Sequence, residues 1–95
     1  MKNPDKPLKI LLVEDNHAMS TVIIELLAHT QLSLSVTSTN TGQGALNQLD
    51  ANRFDCVLLD YELPDYNANE VLKRLQGKRQ LSMPIIILTG HSRQN

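Results

Sequence analysis

The chain has no tryptophan, one phenylalanine and two tyrosines, so a flavin-type cofactor would find few rings to stack on. It has a single cysteine, which excludes an internal disulfide and points to a reducing compartment. Charge is nearly balanced, at a net −1, so there is no basic field to draw in nucleic acid and no acidic tail. No apolar run approaches the roughly 20 residues that a membrane span needs. The start, Met1-Lys2-Asn3-Pro4-Asp5-Lys6-Pro7, has no apolar core behind its lysines and is not a secretion signal. Residues 1–7 read as a flexible lead, and the cytoplasm is the default location. Internal repeats are absent.

What remains is 95 residues, 41% hydrophobic and 20% charged, enough for one domain with one modest core. Three short apolar runs each end in an oxygen-bearing side chain. Ile10-Leu11-Leu12-Val13 leads into Glu14-Asp15, Cys56-Val57-Leu58-Leu59 into Asp60, and Ile85-Ile86-Ile87-Leu88 into Thr89. Such runs read as strands buried on both faces, the kind found in parallel sheets. If they are parallel neighbours, three carboxylates and a hydroxyl converge on one sheet edge, where open α/β sheets bind ligands.

Helical spacing links the strands. Met19, Val22, Ile23, Leu26 and Leu27 share one face of a first helix, capped by Asp15 or Asn16. Leu32, Leu34 and Val36 alternate with Ser33, Ser35 and Thr37, as expected of a strand wetted on one face at a sheet edge. Thr41 opens a second helix carrying Ala45, Leu46 and Leu49, whose first turn Gly42 and Gly44 weaken. Pro64 makes 61–67 a loop. Asn67 and Glu70 form a capping-box pattern ahead of Ala68, Val71, Leu72 and Leu75, with Gly77 as a stop. Pro84 starts the last strand. The order is β-α-β-α-β-α-β, an α/β fold with helices on both faces of a parallel sheet of order 2-1-3-4.

A site that accepts a phosphoryl group needs a nucleophile, a divalent cation and donors to orient the oxygens. Asp60 ends the central strand of the three and is the candidate nucleophile, since a carboxylate can form an acyl phosphate. Glu14 and Asp15, with Asp60, offer hard oxygen ligands for Mg²⁺. Without a cation the three repel one another and raise at least one pKa. Thr89 can donate a hydrogen bond to a phosphoryl oxygen.

Leu11-Leu12-Val13-Glu14-Asp15-Asn16, Leu59-Asp60-Tyr61-Glu62-Leu63-Pro64 and Pro84-Ile85-Ile86-Ile87-Leu88-Thr89-Gly90 together resemble the response-regulator receiver domain of two-component signalling. The resemblance covers about residues 8–90 and frames 8–95 as the receiver domain. It implies a flavodoxin-like (CheY-like) doubly wound sheet. It also implies that Asp60 is the phosphoacceptor, served by a sensor histidine kinase or phosphotransfer protein. Asp15 would bind Mg²⁺ directly, Glu14 through water, and the backbone carbonyl of Glu62 would be a further ligand. Thr89 would contact the phosphoryl group and carry the switch, with Gly90 leaving room beside it. The protein would be a regulatory phosphoacceptor and not a metabolic enzyme, catalysing at most its own phosphoryl transfer and hydrolysis.

Two departures from the receiver pattern stand out. Ala68 replaces the glycine of most receivers. The sequence also stops six residues after Thr89, before the helix, lysine, aromatic residue, fifth strand and final helix of a complete receiver. The expectation is therefore a domain lacking its fifth strand and last helices. It would either associate through an apolar fourth-strand edge or be a fragment of a longer protein. A module that keeps the fold for protein interaction without switching is the alternative function. A flavodoxin-like cofactor binder is a third, on the thin basis of the hydroxyl-rich Thr37–Gly42 stretch.

Other residues have plainer readings. Cys56 lies on an apolar run and reads as core. His17, His29 and His91 lack zinc spacing, although His17 is close enough to the acidic cluster to tune it. Lys73-Arg74 and Lys78-Arg79 read as a solvated helix face. Tyr61 and Tyr66 flank the acceptor loop, where either local packing or partner docking would use them. Neither direct nucleic-acid binding nor membrane association is expected.

Overall fold

The computed structural model describes residues 6–76 and 83–88. Its elements run β1 (Leu8–Val13), α1 (His17–Ala28), β2 (Leu34–Thr39), α2 (Gly42–Ala51), β3 (Cys56–Asp60), α3 (Ala68–Gln76) and β4 (Ile85–Leu88). The four strands form one parallel sheet in the order β2-β1-β3-β4. Parallel neighbours need crossovers, and right-handed crossovers place α1 on one face of this order and α2 with α3 on the other.

Strand alternation divides the core accordingly. Leu11, Val13, Val57 and Leu59 point to the α2/α3 face and pack with Ala45, Leu46 and Leu49 of α2 and Ala68, Val71 and Leu75 of α3. Ile85 and Ile87 extend this cluster from β4. Ile10 and Leu12 point the opposite way and are also buried.

That second face departs from the sequence expectation. The apolar stripe of α1 is largely open, with Met19, Val22 and Leu26 all exposed, and only Ser20 of this helix is fully buried. A single helix lying on the sheet buries only the part of its stripe that touches the strands, and among the described residues nothing covers the rest. Ile86, on the same face at the end of the sheet, is half exposed. Leu32 lies before β2 rather than within it and is likewise exposed.

Local signals account for the helix starts. Asn16, not Asp15, caps α1, its Oδ1 accepting from the Met19 N–H at 2.9 Å. Thr41 caps α2, its Oγ1 accepting from the Gly44 N–H at 2.9 Å. Asn67 and Glu70 make the reciprocal pair expected of a capping box: Glu70 N–H to Asn67 Oδ1 at 2.9 Å and Asn67 N–H to Glu70 Oε1 at 2.8 Å. Gly77 lies outside the described residues, as do residues 1–5 of the expected lead.

Candidate functional site

Register brings the site together. Val13 pairs with Leu59 across β1 and β3, so the next residues, Glu14 and Asp60, sit side by side at the carboxyl ends of adjacent strands. Leu88 of β4 pairs with Asp60 from the other side. The Glu14 N–H donates to the Thr39 carbonyl at 3.0 Å, which ties the end of β1 to the end of β2. The carboxyl ends of all four described strands therefore lie along one edge.

Both central carboxyls are buried, Glu14 at 8% exposure and Asp60 at 9%. Burial is the main reason that the Glu14 carboxyl titrates above its ordinary 4.5. The Asn16 N–H, donating to Glu14 Oε2 at 3.1 Å, opposes that rise. The charge of Asp60, a hydrogen bond shared between the Glu14 and Asp60 side chains, and the charge of Asp15 all add to it. The neighbours acting on Glu14 by charge are thus both acidic. Asp15 projects to solvent beside them. A polar cavity of about 290 Å³ opens here, lined by Glu14, Asp15, His17, Ser38, Thr39 and Asn40.

No group of three His, Cys, Asp or Glu side chains among the described residues forms a ready-made metal cluster. Magnesium does not require one. It takes one or two carboxylates, completes its octahedron with water and other oxygens, and fits a hard, all-oxygen donor set such as this.

The β3–α3 loop follows directly on Asp60. Glu62 and Asn67 form an isolated antiparallel bridge. The bonds flanking it run from Leu63 N–H to Tyr66 C=O at 3.1 Å and from Ala68 N–H to Tyr61 C=O at 2.8 Å. Glu62 is therefore in the wide pair of the bridge, and its carbonyl is directed away from Asn67. Thr89 and Gly90 lie outside the described residues.

Sequence reasoning overlooked the tip of this loop. The Asp65 carboxylate reaches across to the start of α2, where Oδ1 accepts from Gly42 N–H at 2.7 Å and Oδ2 from Gln43 N–H at 2.9 Å. Desolvation pushes its pKa up, but the bonds from Gln43 and Gly42 prevail and hold it below the ordinary 3.8. Tyr66 lies so close to Gly42 that a Cβ there would land on the ring. The Arg74 guanidinium stacks over the Tyr66 ring, 4.4 Å from its centroid. These partners are 22 and 23 positions apart in the chain, and no local pattern announces them.

Comparison with known proteins agrees with this architecture. The family described as "Response regulator receiver domain" matches residues 10–95. The chain belongs to that family. Among curated relatives, the transcriptional regulatory protein CrdR of Helicobacter pylori is 35% identical over 86% of this chain and 38% of its own length. The chain thus spans under two fifths of that relative. A solved structure of the phosphorylated cyanobacterial phytochrome response regulator RcpA superposes with a TM-score of 0.82 at 30% identity, covering 93% of this chain and 69% of that one. The Mn²⁺-bound form of the response regulator Rcp1 gives the same TM-score at 28% identity, with 93% and 69% covered. This receiver chain shares their fold: four described parallel strands in the order 2-1-3-4 with three helices.

Proposed function

We propose that this receiver accepts a phosphoryl group on the Asp60 carboxylate from a phosphohistidine of a sensor histidine kinase or phosphotransfer protein, in the cytoplasm. The carrying observation is the Glu14–Asp60 pair, two buried carboxyls in contact at adjacent strand ends with further acidic charge beside them. Burying like charges together is costly unless a cation compensates them. Asp15, Glu14, Asp60 and the Glu62 carbonyl are the residues that would hold Mg²⁺. The Mn²⁺ in Rcp1 and the phosphorylated state of RcpA support this reading by likeness. When bound, the cation neutralises charge on the phosphoryl oxygens.

The chain's own part is to orient and to attack. One Asp60 oxygen forms the new O–P bond as the N–P bond of the phosphoimidazole breaks. The imidazole nitrogen keeps the bonding pair, and the acyl phosphate stays on Asp60 until water cleaves it. Thr89 would donate its hydroxyl to a phosphoryl oxygen and transmit the switch, with Gly90 leaving space beside it. The role is regulatory.

The test is intact mass after incubation with Mg²⁺ and acetyl phosphate. A single phosphoryl adduct that requires Mg²⁺ and is lost in Asp60→Asn is the expected result. A folded protein without any adduct would instead make it a non-switching interaction module. We further propose that copies associate at the β4 end of the sheet, on the strength of Ile86, which is half exposed there on the α1 face. Light scattering should then show a mass that rises with concentration, and a strict monomer would contradict this.

A further inference from the structure

The cation-binding edge is assembled from two separate loops, and the structure contains a brace between them. On one side, the Glu14 N–H is bonded to the Thr39 carbonyl at 3.0 Å. On the other, Asp65 holds the amides of Gly42 and Gln43 at 2.7 and 2.9 Å. The five residues from Thr39 to Gln43 therefore connect the β1 acidic pair to the β3–α3 loop. The stretch is itself stiffened. Thr41 Oγ1 accepts from Gly44 N–H at 2.9 Å, and a Cβ on Gly44 would overlap the Thr39 hydroxyl, so Thr39 is seated directly on the helix. Tyr66 closes the contact from the loop side, packed on Gly42 with its hydroxyl 3.4 Å from Gln43 Oε1.

The same loop carries Glu62. Its base is fixed to α3 by the Asn67–Glu70 box and to β4 by the Tyr61 N–H bond to the Leu88 carbonyl at 3.0 Å. The Asp65 clamp supplies the hydrogen bonds that fix its tip toward the β1 and β2 side, with Tyr66 packed beside them. Removing those bonds should leave α3 and the sheet intact but loosen the Glu62 segment relative to Glu14 and Asp15.

We infer that Asp65 is a positioning residue for the cation site: by gripping the first two amides of α2 it holds the Glu62 carbonyl in place relative to the Glu14–Asp15 end of β1. The inference rests on the phosphoacceptor reading. Supporting groups of this kind fix ligand direction, and their loss typically costs about 10–100-fold in metal affinity.

The experiment is a Mg²⁺ titration by calorimetry on wild type, Asp65→Ala, Asp65→Asn and Leu49→Ala, with melting curves and amide hydrogen exchange recorded in cation-free buffer. Leu49→Ala is the structural control, because it opens a cavity beneath the last turns of the same helix, away from the Asp65 clamp. The expected result is a Kd for Mg²⁺ raised about ten-fold in Asp65→Ala, raised less in Asp65→Asn, which keeps one acceptor, and unchanged in Leu49→Ala, even though Leu49→Ala also melts lower. Exchange at the Leu63 and Ala68 amides should quicken in Asp65→Ala alone. Equal Kd values in wild type and Asp65→Ala would overturn the inference while leaving the phosphoacceptor reading standing. Unchanged exchange at Leu63 and Ala68 would overturn it on cation-independent ground. A wild-type protein that takes up no Mg²⁺ would overturn that reading and the inference together.

Discussion

The two faces of the sheet are built from the same strands and end up in different states. On the α2/α3 face, Leu11, Val13, Val57 and Leu59 are sealed under two helices whose apolar residues meet in one cluster. On the α1 face, Ile10 and Leu12 are covered, but Leu26 is 66% exposed and Ile86 50%. Hydropathy along β1, β3 and β4 is equally high on alternate positions, so composition does not distinguish the faces. What distinguishes them is the number of helices, among the described residues, that reach each one. Stability should reside on the α2/α3 face, and the α1 face should be tolerant of substitution and prone to association.

The largest test of that contrast is Leu11→Ala. It removes a fully buried side chain from the centre of the sealed face and should cost roughly 2–5 kcal/mol in urea unfolding. Next comes Gly44→Ala. Propensity alone would favour alanine by about 1 kcal/mol inside a helix. Here the new methyl meets the Thr39 and Thr41 hydroxyls, so overpacking should reverse the sign and destabilise by about 1–3 kcal/mol. Thr41→Ala, which deprives the Gly44 amide of its cap, should cost about 1 kcal/mol.

Smaller again is the pH response of the edge above these faces. Glu14 titrates above 4.5 in the folded chain, so the native state holds its proton more tightly than the unfolded state does. Its favourable contribution is complete below 4.5 and is lost as pH rises through its raised value. Cation-free protein should therefore lose stability as pH rises from 4.5 through that raised value, and Glu14→Gln should flatten that slope. Asp65 has the opposite sign. Its lowered value means a contribution complete above 3.8 that fades as acid titrates it, and Asp65→Asn should remove that loss. Smallest of all, Leu26→Ser should alter unfolding by no more than about 0.5 kcal/mol. A cost there near that of Leu11→Ala would dissolve the contrast between the faces.

The sequence made the strands and the helix starts legible because each has a short-range cause, and the parallel order followed from strands alternating with helices and one half-polar strand suited to an edge. Four apolar residues in a row, a side-chain oxygen ahead of a helix and the Asn67–Glu70 spacing all act within one turn. Glu14 and Asp60 were legible as strand ends, and the register explains why they meet. The open stripe of α1 was not legible, because periodicity marks an apolar face without saying what covers it. Gly42 and Gly44 read as weak helix formers. In the fold they are where Tyr66 and Thr39 come too close for any side chain. Asp65 gave no signal, since its partners are supplied by another loop.

The most direct test of the account is chemical location of the phosphoryl group. The protein is treated with acetyl phosphate and Mg²⁺, reduced with tritiated borohydride, which reacts with acyl phosphates, and mapped by peptide. The account predicts label in the peptide containing Asp60, dependent on Mg²⁺. Label at another carboxylate, or none in a folded and cation-loaded protein, would contradict it.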